Sequence, residues 1–152
     1  MTETAVFAAG CFWGVEADVR ETPGVLEAEA GYANGGVPGP VGYEDVCSGT
    51  TGHAEAVRVT FDTDTVTFEQ LLDVFWACHN PTTPNRQGPD VGTQYRSGIF
   101  TVSEAQAHSA LASRTAAQAR FANPIVTVIE PLTGFQPAEE YHQRYFEKQG
   151  VR

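Results

Sequence analysis

Residues 5–19 read AVFAAGCFWGVEADV. The apolar run that ends at Gly10 is short, and a glycine bounds it, so it predicts a buried strand over 4–9. From Cys11 to about Arg20 the pattern turns helical, and Pro23-Gly24 supplies the stop. A strand that passes through one glycine straight into a helix implies a sheet with a helix laid on it.

The rest of the chain repeats this grammar. VLEAEAGYA (25–33) alternates apolar and polar residues, as a half-exposed strand does. NGGVPGPVG (34–42) is the most loop-like stretch, and a long loop that carries Tyr43 is expected around 34–52. HAEAVRVTFD (53–62) alternates again, with Val57, Val59 and Phe61 on one face. TFEQLLDVFWACH (67–79) begins with Thr67 and Gln70 in capping-box spacing, and Leu71, Leu72, Phe75 and Trp76 make a helical stripe. A long irregular loop covers 80–92. A strand is predicted over 97–103, and an Ala-rich helix opens at Ser103 and Gln106 and runs to about Phe121. IVTVIE (125–130) reads as a strand. PAEEYHQRYFEKQ (137–149) reads as a last helix with Pro137 in its first turn. Five strands interleaved with four helices predict an α+β two-layer sandwich, a mixed sheet with helices packed on it, as one domain over 1–152.

Composition narrows the partners. Nine Lys and Arg against nineteen Asp and Glu give a formal net charge of −10. That balance argues against nucleic acid and anionic membrane as partners. No apolar stretch approaches the roughly 20 residues that cross a bilayer. The opening MTETAVF lacks a basic segment ahead of an apolar one, so a cytoplasmic location is expected.

Three cysteines, Cys11, Cys47 and Cys78, make neither a disulfide framework nor a Cys-x-x-Cys motif. Cys11 falls at a helix N-terminus, where free N–H groups and the helix dipole favour thiolate, the nucleophilic form. The competing reading is an inert buried cysteine. Phe12-Trp13 can wall a pocket or fill a core. A phosphatase needs Arg six residues after the cysteine, and position 17 is Ala. No motif selects His53, His79, His108 or His142 as the base of a protease-like pair. The Cys and His spacings match no zinc pattern, so no metal is expected. Glu55 offers a different function. If it shares the face of Val57 and Val59, burial raises its pKa and makes it a general acid. One register off, it faces water, and periodicity alone leaves both readings open.

Several motifs together resemble one family. GCFWG (10–14), GYEDVCSGTTGHAEAV (42–57) and PDVGTQYRSGIF (89–100), extended by HNPTTPNRQG (79–88) and EEYHQRYFEKQ (139–149), are similar to peptide methionine sulfoxide reductases of the A class. The resemblance implies a ferredoxin-like core. It also implies that the Cys11 thiolate attacks the sulfur of methionine-S-sulfoxide, protein-bound or free, and that Phe12 and Trp13 enclose its methyl group. By the same resemblance Glu55 protonates the departing oxygen, Tyr43 and Tyr95 hydrogen-bond it, and Asp90 holds polar groups or water nearby. The products are methionine and a Cys11 sulfenic acid. Many relatives resolve that acid with cysteines in a glycine-rich C-terminal tail, and no cysteine follows Cys78 here. Cys47 is the first candidate to resolve it, ahead of direct reduction by an external thiol such as thioredoxin, while Cys78 is expected to be packing. A monomer without a bound cofactor is expected. Asn80 stands where relatives often have Asp, and the loop over 34–42 is slightly longer than usual.

Overall fold

The structure is a computed structural model that describes residues 1–37 and 40–150. Two positions of the loop expected over 34–42, residues 38 and 39, lie outside the described residues. The first elements are β1 (Thr2–Ala9), α1 (Phe12–Arg20), β2 (Val25–Ala33), α2 (Tyr43–Cys47), β3 (Ala54–Asp62) and α3 (Phe68–Ala77). A small hairpin, β4 (Arg86–Gln87) and β5 (Asp90–Val91), comes next, then β6 (Ser97–Thr101), α4 (Glu104–Ala117), β7 (Val128–Pro131), β8 (Phe135–Pro137) and α5 (Tyr145–Lys148).

Six strands form one sheet in the order β7-β6-β1-β3-β2-β8. Only β6 and β7 pair in parallel; the other neighbours are antiparallel. The four central strands with α1 and α3 make a βαββαβ unit in spatial order β6-β1-β3-β2, which is the ferredoxin-like core. The sheet is mixed, as expected.

Alternation along the strands sorts side chains to the two faces. Ala5, Phe7, Val57, Val59, Phe61 and Ile99 pack with Phe12, Val15 and Val19 of α1 and with Leu71, Leu72, Phe75 and Trp76 of α3. Ala110 and Ala117 bring α4 onto the same layer. The opposite face is small and apolar, with Val6, Ala8, Ala33, Ala54, Ala56 and Phe100 partly covered by Leu132 and Phe135. Helix α3 starts as its sequence requires. The Thr67 hydroxyl accepts the Gln70 N–H at 3.1 Å, and the Gln70 side chain accepts the Thr67 N–H at 2.8 Å.

Three local expectations need correction. The helix expected over 137–149 does not form: β8 reaches Pro137, a 3₁₀ turn covers Glu140–His142, and α5 holds only four residues. Ala138 donates its N–H to the carbonyl of Ala30, and the Gln143 side chain bridges the N–H and carbonyl of Ala30. This segment therefore serves the edge of β2 and cannot close its own helical ladder. The strand expected over 125–130 begins only at Val128. Tyr43 is not in a loop but opens α2, whose N-terminus is held by Asp45 accepting the Gly42 N–H at 2.9 Å.

Candidate active site

Gly10 ends β1 with φ of +93°, a backbone region that disfavours side chains. A Cβ built there would lie 2.6 Å from Cγ of Gln87. Chain reversal and close packing both require glycine, and together they put Cys11 at the N-cap of α1. Its sulfur makes no close capping hydrogen bond, although the N–H groups of Trp13 and Gly14 act on it to favour thiolate. Burial outweighs them, and the charges of Glu55 and Asp90 add to it, so the Cys11 pKa is pushed up to about 11. The helix mouth thus favours thiolate as expected, and burial opposes it more strongly. In the resting site Cys11 is a partly exposed thiol.

Glu55 settles the register question. It lies on the Val57–Val59 face and is 1% exposed. One carboxylate oxygen accepts the N–H of Phe12, the residue after Cys11, at 3.3 Å. The other is buried without a partner. Burial is the main cause that lifts its pKa to about 7; the Phe12 N–H opposes the rise and the Asp90 charge assists it. A carboxyl poised between its two protonation states at neutral pH, with one oxygen free, suits proton donation.

Phe12 and Trp13 open α1 side by side and differ in environment. Phe12 is buried, its ring centroid 5.1 Å from that of His142, 5.7 Å from Tyr32 and 6.5 Å from Tyr43. Trp13 is partly exposed and is clamped by the C-terminal segment. Its indole N–H donates to Nδ1 of His142 at 3.0 Å, and its ring stacks on Tyr145 at 3.7 Å and 8°. Trp13 is thereby a fixed apolar wall with its polar atom satisfied.

Tyr43, Tyr95 and Asp90 come from three separate segments and converge on Glu55, and Tyr95 and Asp90 also act on Cys11. Burial first, then Glu55, Cys47, Asp90 and Cys11, lift the Tyr95 hydroxyl to about 12. Burial, the Cys47 thiol engaged by its hydroxyl, and Glu55 keep Tyr43 well above the usual tyrosine range. Both are neutral donors. Cys47 is exposed on the rim beside them. Cys78 lies elsewhere, at the end of α3: burial and Asp18, near the far end of α1, push its thiol to about 12, and it donates to the Phe75 carbonyl at 3.3 Å. His79 bonds the Phe75 carbonyl and the Ser97 hydroxyl, both at 2.7 Å, and is a structural group. Among the described residues no three His, Cys, Asp or Glu side chains gather as a metal site.

The sequence reading missed several contributors. Tyr32 lies across the ladder from Glu55 and donates to Glu139 at 2.8 Å. The other Glu139 oxygen accepts the Tyr43 N–H at 3.0 Å. Burial alone would raise the Glu139 pKa, but its own backbone, these donors and His142 hold it low. Glu139, His142 and Tyr145 all belong to EEYHQRY, a motif readable in the sequence but with no role attached to its residues.

Fold and site together define a thiol enzyme: a partly exposed cysteine at the mouth of a helix, a buried carboxyl bonded to the N–H of the next residue, and two aromatic residues that follow the cysteine in the helix. The family model described as peptide methionine sulfoxide reductase matches residues 3–152. A reductase of this type from Methanoculleus marisnigri is 55% identical over 150 residues, covering 97% of this chain and 91% of the relative. Another, A2-1 from Oryza sativa subsp. japonica, is 56% identical, covering 97% of this chain and 79% of the relative. Reduced Mxr1 from Saccharomyces cerevisiae superposes with a TM-score of 0.94 at 40% identity, covering 99% of this chain and 87% of that one. The same yeast protein in complex with Trx2 gives a TM-score of 0.68 at 31% identity, covering 95% and 84%. The chain belongs to the peptide methionine sulfoxide reductase family and is an oxidoreductase of its A type.

Proposed function

We propose that this chain reduces methionine-S-sulfoxide, free and within oxidised proteins, by direct attack of Cys11 on sulfur with Glu55 as the acid. The observation that carries the reading is the Glu55 carboxyl, buried on an apolar face with one oxygen on the Phe12 N–H and the other unpaired.

The atoms balance simply. The Cys11 thiol and the sulfoxide become a Cys11 sulfenic acid and methionine. The S–O bond of the substrate breaks, a new S–O bond forms on Cys11, and the sulfoxide sulfur is reduced by two electrons. Glu55 gives its proton to the oxygen as charge develops there and recovers the proton that leaves the thiol, so no net proton is consumed. Because the thiol is protonated in the resting site, this exchange is what generates the nucleophile. Tyr43 and Tyr95 donate to the same oxygen, Asp90 orders polar groups around it, and Phe12 and Trp13 take the methyl group. A fixed methyl site and a fixed oxygen site admit one sulfoxide epimer, the S form.

Cys47 resolves the sulfenic acid by disulfide formation with loss of water. Its exposed thiol adjoins Tyr43 and Tyr95, and Tyr95 also acts on Cys11, whereas Cys78 is half-buried beside Asp18 at the end of α3. An external dithiol of the thioredoxin kind then restores both cysteines; the yeast relative seen with Trx2 supports that choice. The monomeric, cytoplasmic setting expected above is part of the same proposal.

One turnover without reductant tests the reading. The expected result is about one methionine per chain from the S epimer, none from the R epimer, and two thiols lost. The Cys11→Ser variant is expected to form no methionine. Methionine from that variant, or equal use of both epimers, would refute it.

A further inference from the structure

Trp13 is held by two residues that do not belong to its own helix, His142 and Tyr145. Between them lies Arg144, whose φ is +51°, the left-handed region. A non-glycine residue reaches that region only when its surroundings impose it. Here the imposing contact is a carboxylate. Glu16 is 3% exposed, and its Oε2 accepts the Arg144 N–H at 2.5 Å and lies 3.6 Å from the Arg20 guanidinium. Glu16 sits three residues after Trp13 on α1, so both project from nearly the same side of the helix. On the other flank, Gln143 ties the segment to Ala30.

From this geometry we propose that Glu16 is a positioning residue for the methyl cage. Its carboxylate fastens the left-handed turn at Arg144, and that turn sets both His142 against the indole N–H and Tyr145 against the indole face. Helix α1 thus supplies the cage wall and also the hook that pulls the wall's two supports into place. The bond direction adds one requirement: because Nδ1 of His142 accepts from Trp13, the imidazole must be neutral, with its proton on Nε2.

The inference rests on the reading of Trp13 as a wall of the methyl site, and the test separates the two. Wild type should prefer an S-methyl over an S-ethyl sulfoxide, methionine over ethionine, by about 10–200-fold in kcat/KM, the range of one methylene in a tight apolar pocket. Trp13→Ala should erase most of that preference; if it does not, the cage reading itself fails. Glu16→Ala should lower the preference by about tenfold, with KM for methionine sulfoxide rising more than kcat falls. Adding Arg144→Gly should recover most of it, because glycine adopts the left-handed turn without being held. A purely structural Glu16 would not be rescued in this way. Should Glu16→Ala not fold, Glu16→Met, of similar length but without an oxygen to accept the Arg144 N–H, decides: a reduced preference supports the role. A wild-type preference in the Glu16 variant, or a lost preference that Arg144→Gly does not recover, overturns the inference while leaving the cage intact.

Discussion

Glu55 holds the chemistry and stability of the site in opposition. Its pKa rises from 4.5 in an open chain to about 7 in the fold, chiefly through burial. A carboxyl whose folded pKa is raised binds its proton more tightly in the native state, so the stability it adds is lost as pH climbs from about 4.5 through 7. That loss amounts to about 3 kcal/mol above pH 7. Glu55→Gln is therefore expected to be the more stable protein at pH 8, by up to about that amount in urea unfolding, although it is the poorer catalyst. The same titration governs rate. The step starts with one proton on Cys11 and one on Glu55, so kcat/KM should be highest below 7 and fall as Glu55 loses its proton through about 7. In Glu55→Gln the step near 7 should vanish, and the rate should drop by about 10²–10⁴-fold. A profile that keeps its inflection near 7 in that variant would assign it to another group. The sequence placed Glu55 on a strand with apolar neighbours but left its face open. Only the pairing partners of β3 fix the register, and those lie far away in the chain.

At the scale of elements, the strand–glycine–helix passage from β1 into α1 was the most legible feature, because local sequence alone dictates it. Gly10 is its pivot. Gly10→Ala would meet both the positive φ and the Gln87 side chain, which cannot easily yield because its amide is tied to the Asn80 N–H and carbonyl. The expected cost is about 1–3 kcal/mol, read as a lower urea midpoint with unchanged slope, with lost activity as Cys11 is displaced. Loss of activity without any loss of stability would contradict the pivot role. The C-terminal segment was least legible. PAEEYHQRYFEKQ has helical composition, yet its polar side chains are spent on distant partners: Gln143 on Ala30, Glu139 on Tyr32 and Tyr43, and His142 on Trp13. Tertiary bonds override propensity there, and nothing within the segment announces them. Helix α2 was hidden for a related reason: five residues flanked by glycines read as loop. At Cys11 the helix mouth acts in the expected direction and is still outweighed, because burial is a property of the assembled site.

Across the whole molecule, the spatial order β6-β1-β3-β2 does what the chain order cannot. It sets the start of β3 beside the end of β1, so Glu55 meets the turn that carries Cys11, and it sets Tyr32 opposite Glu55. The connections after β2 and before β6 then bring Tyr43, Asp90 and Tyr95 over that edge, while the segment after β8 closes on Trp13. Family motifs make the candidate catalytic residues legible in the sequence alone, but the supports behind them, Glu16 and Glu139 above all, emerge only from the fold. Oxygen transfer from substrate to Cys11 is the most direct test of the account. The Cys47→Ser variant, given one equivalent of ¹⁸O-labelled methionine-S-sulfoxide without reductant, is expected to release unlabelled methionine and retain one labelled oxygen on Cys11, read by intact and peptide mass. Methionine released with the label in water from the outset and Cys11 never oxidised would contradict it.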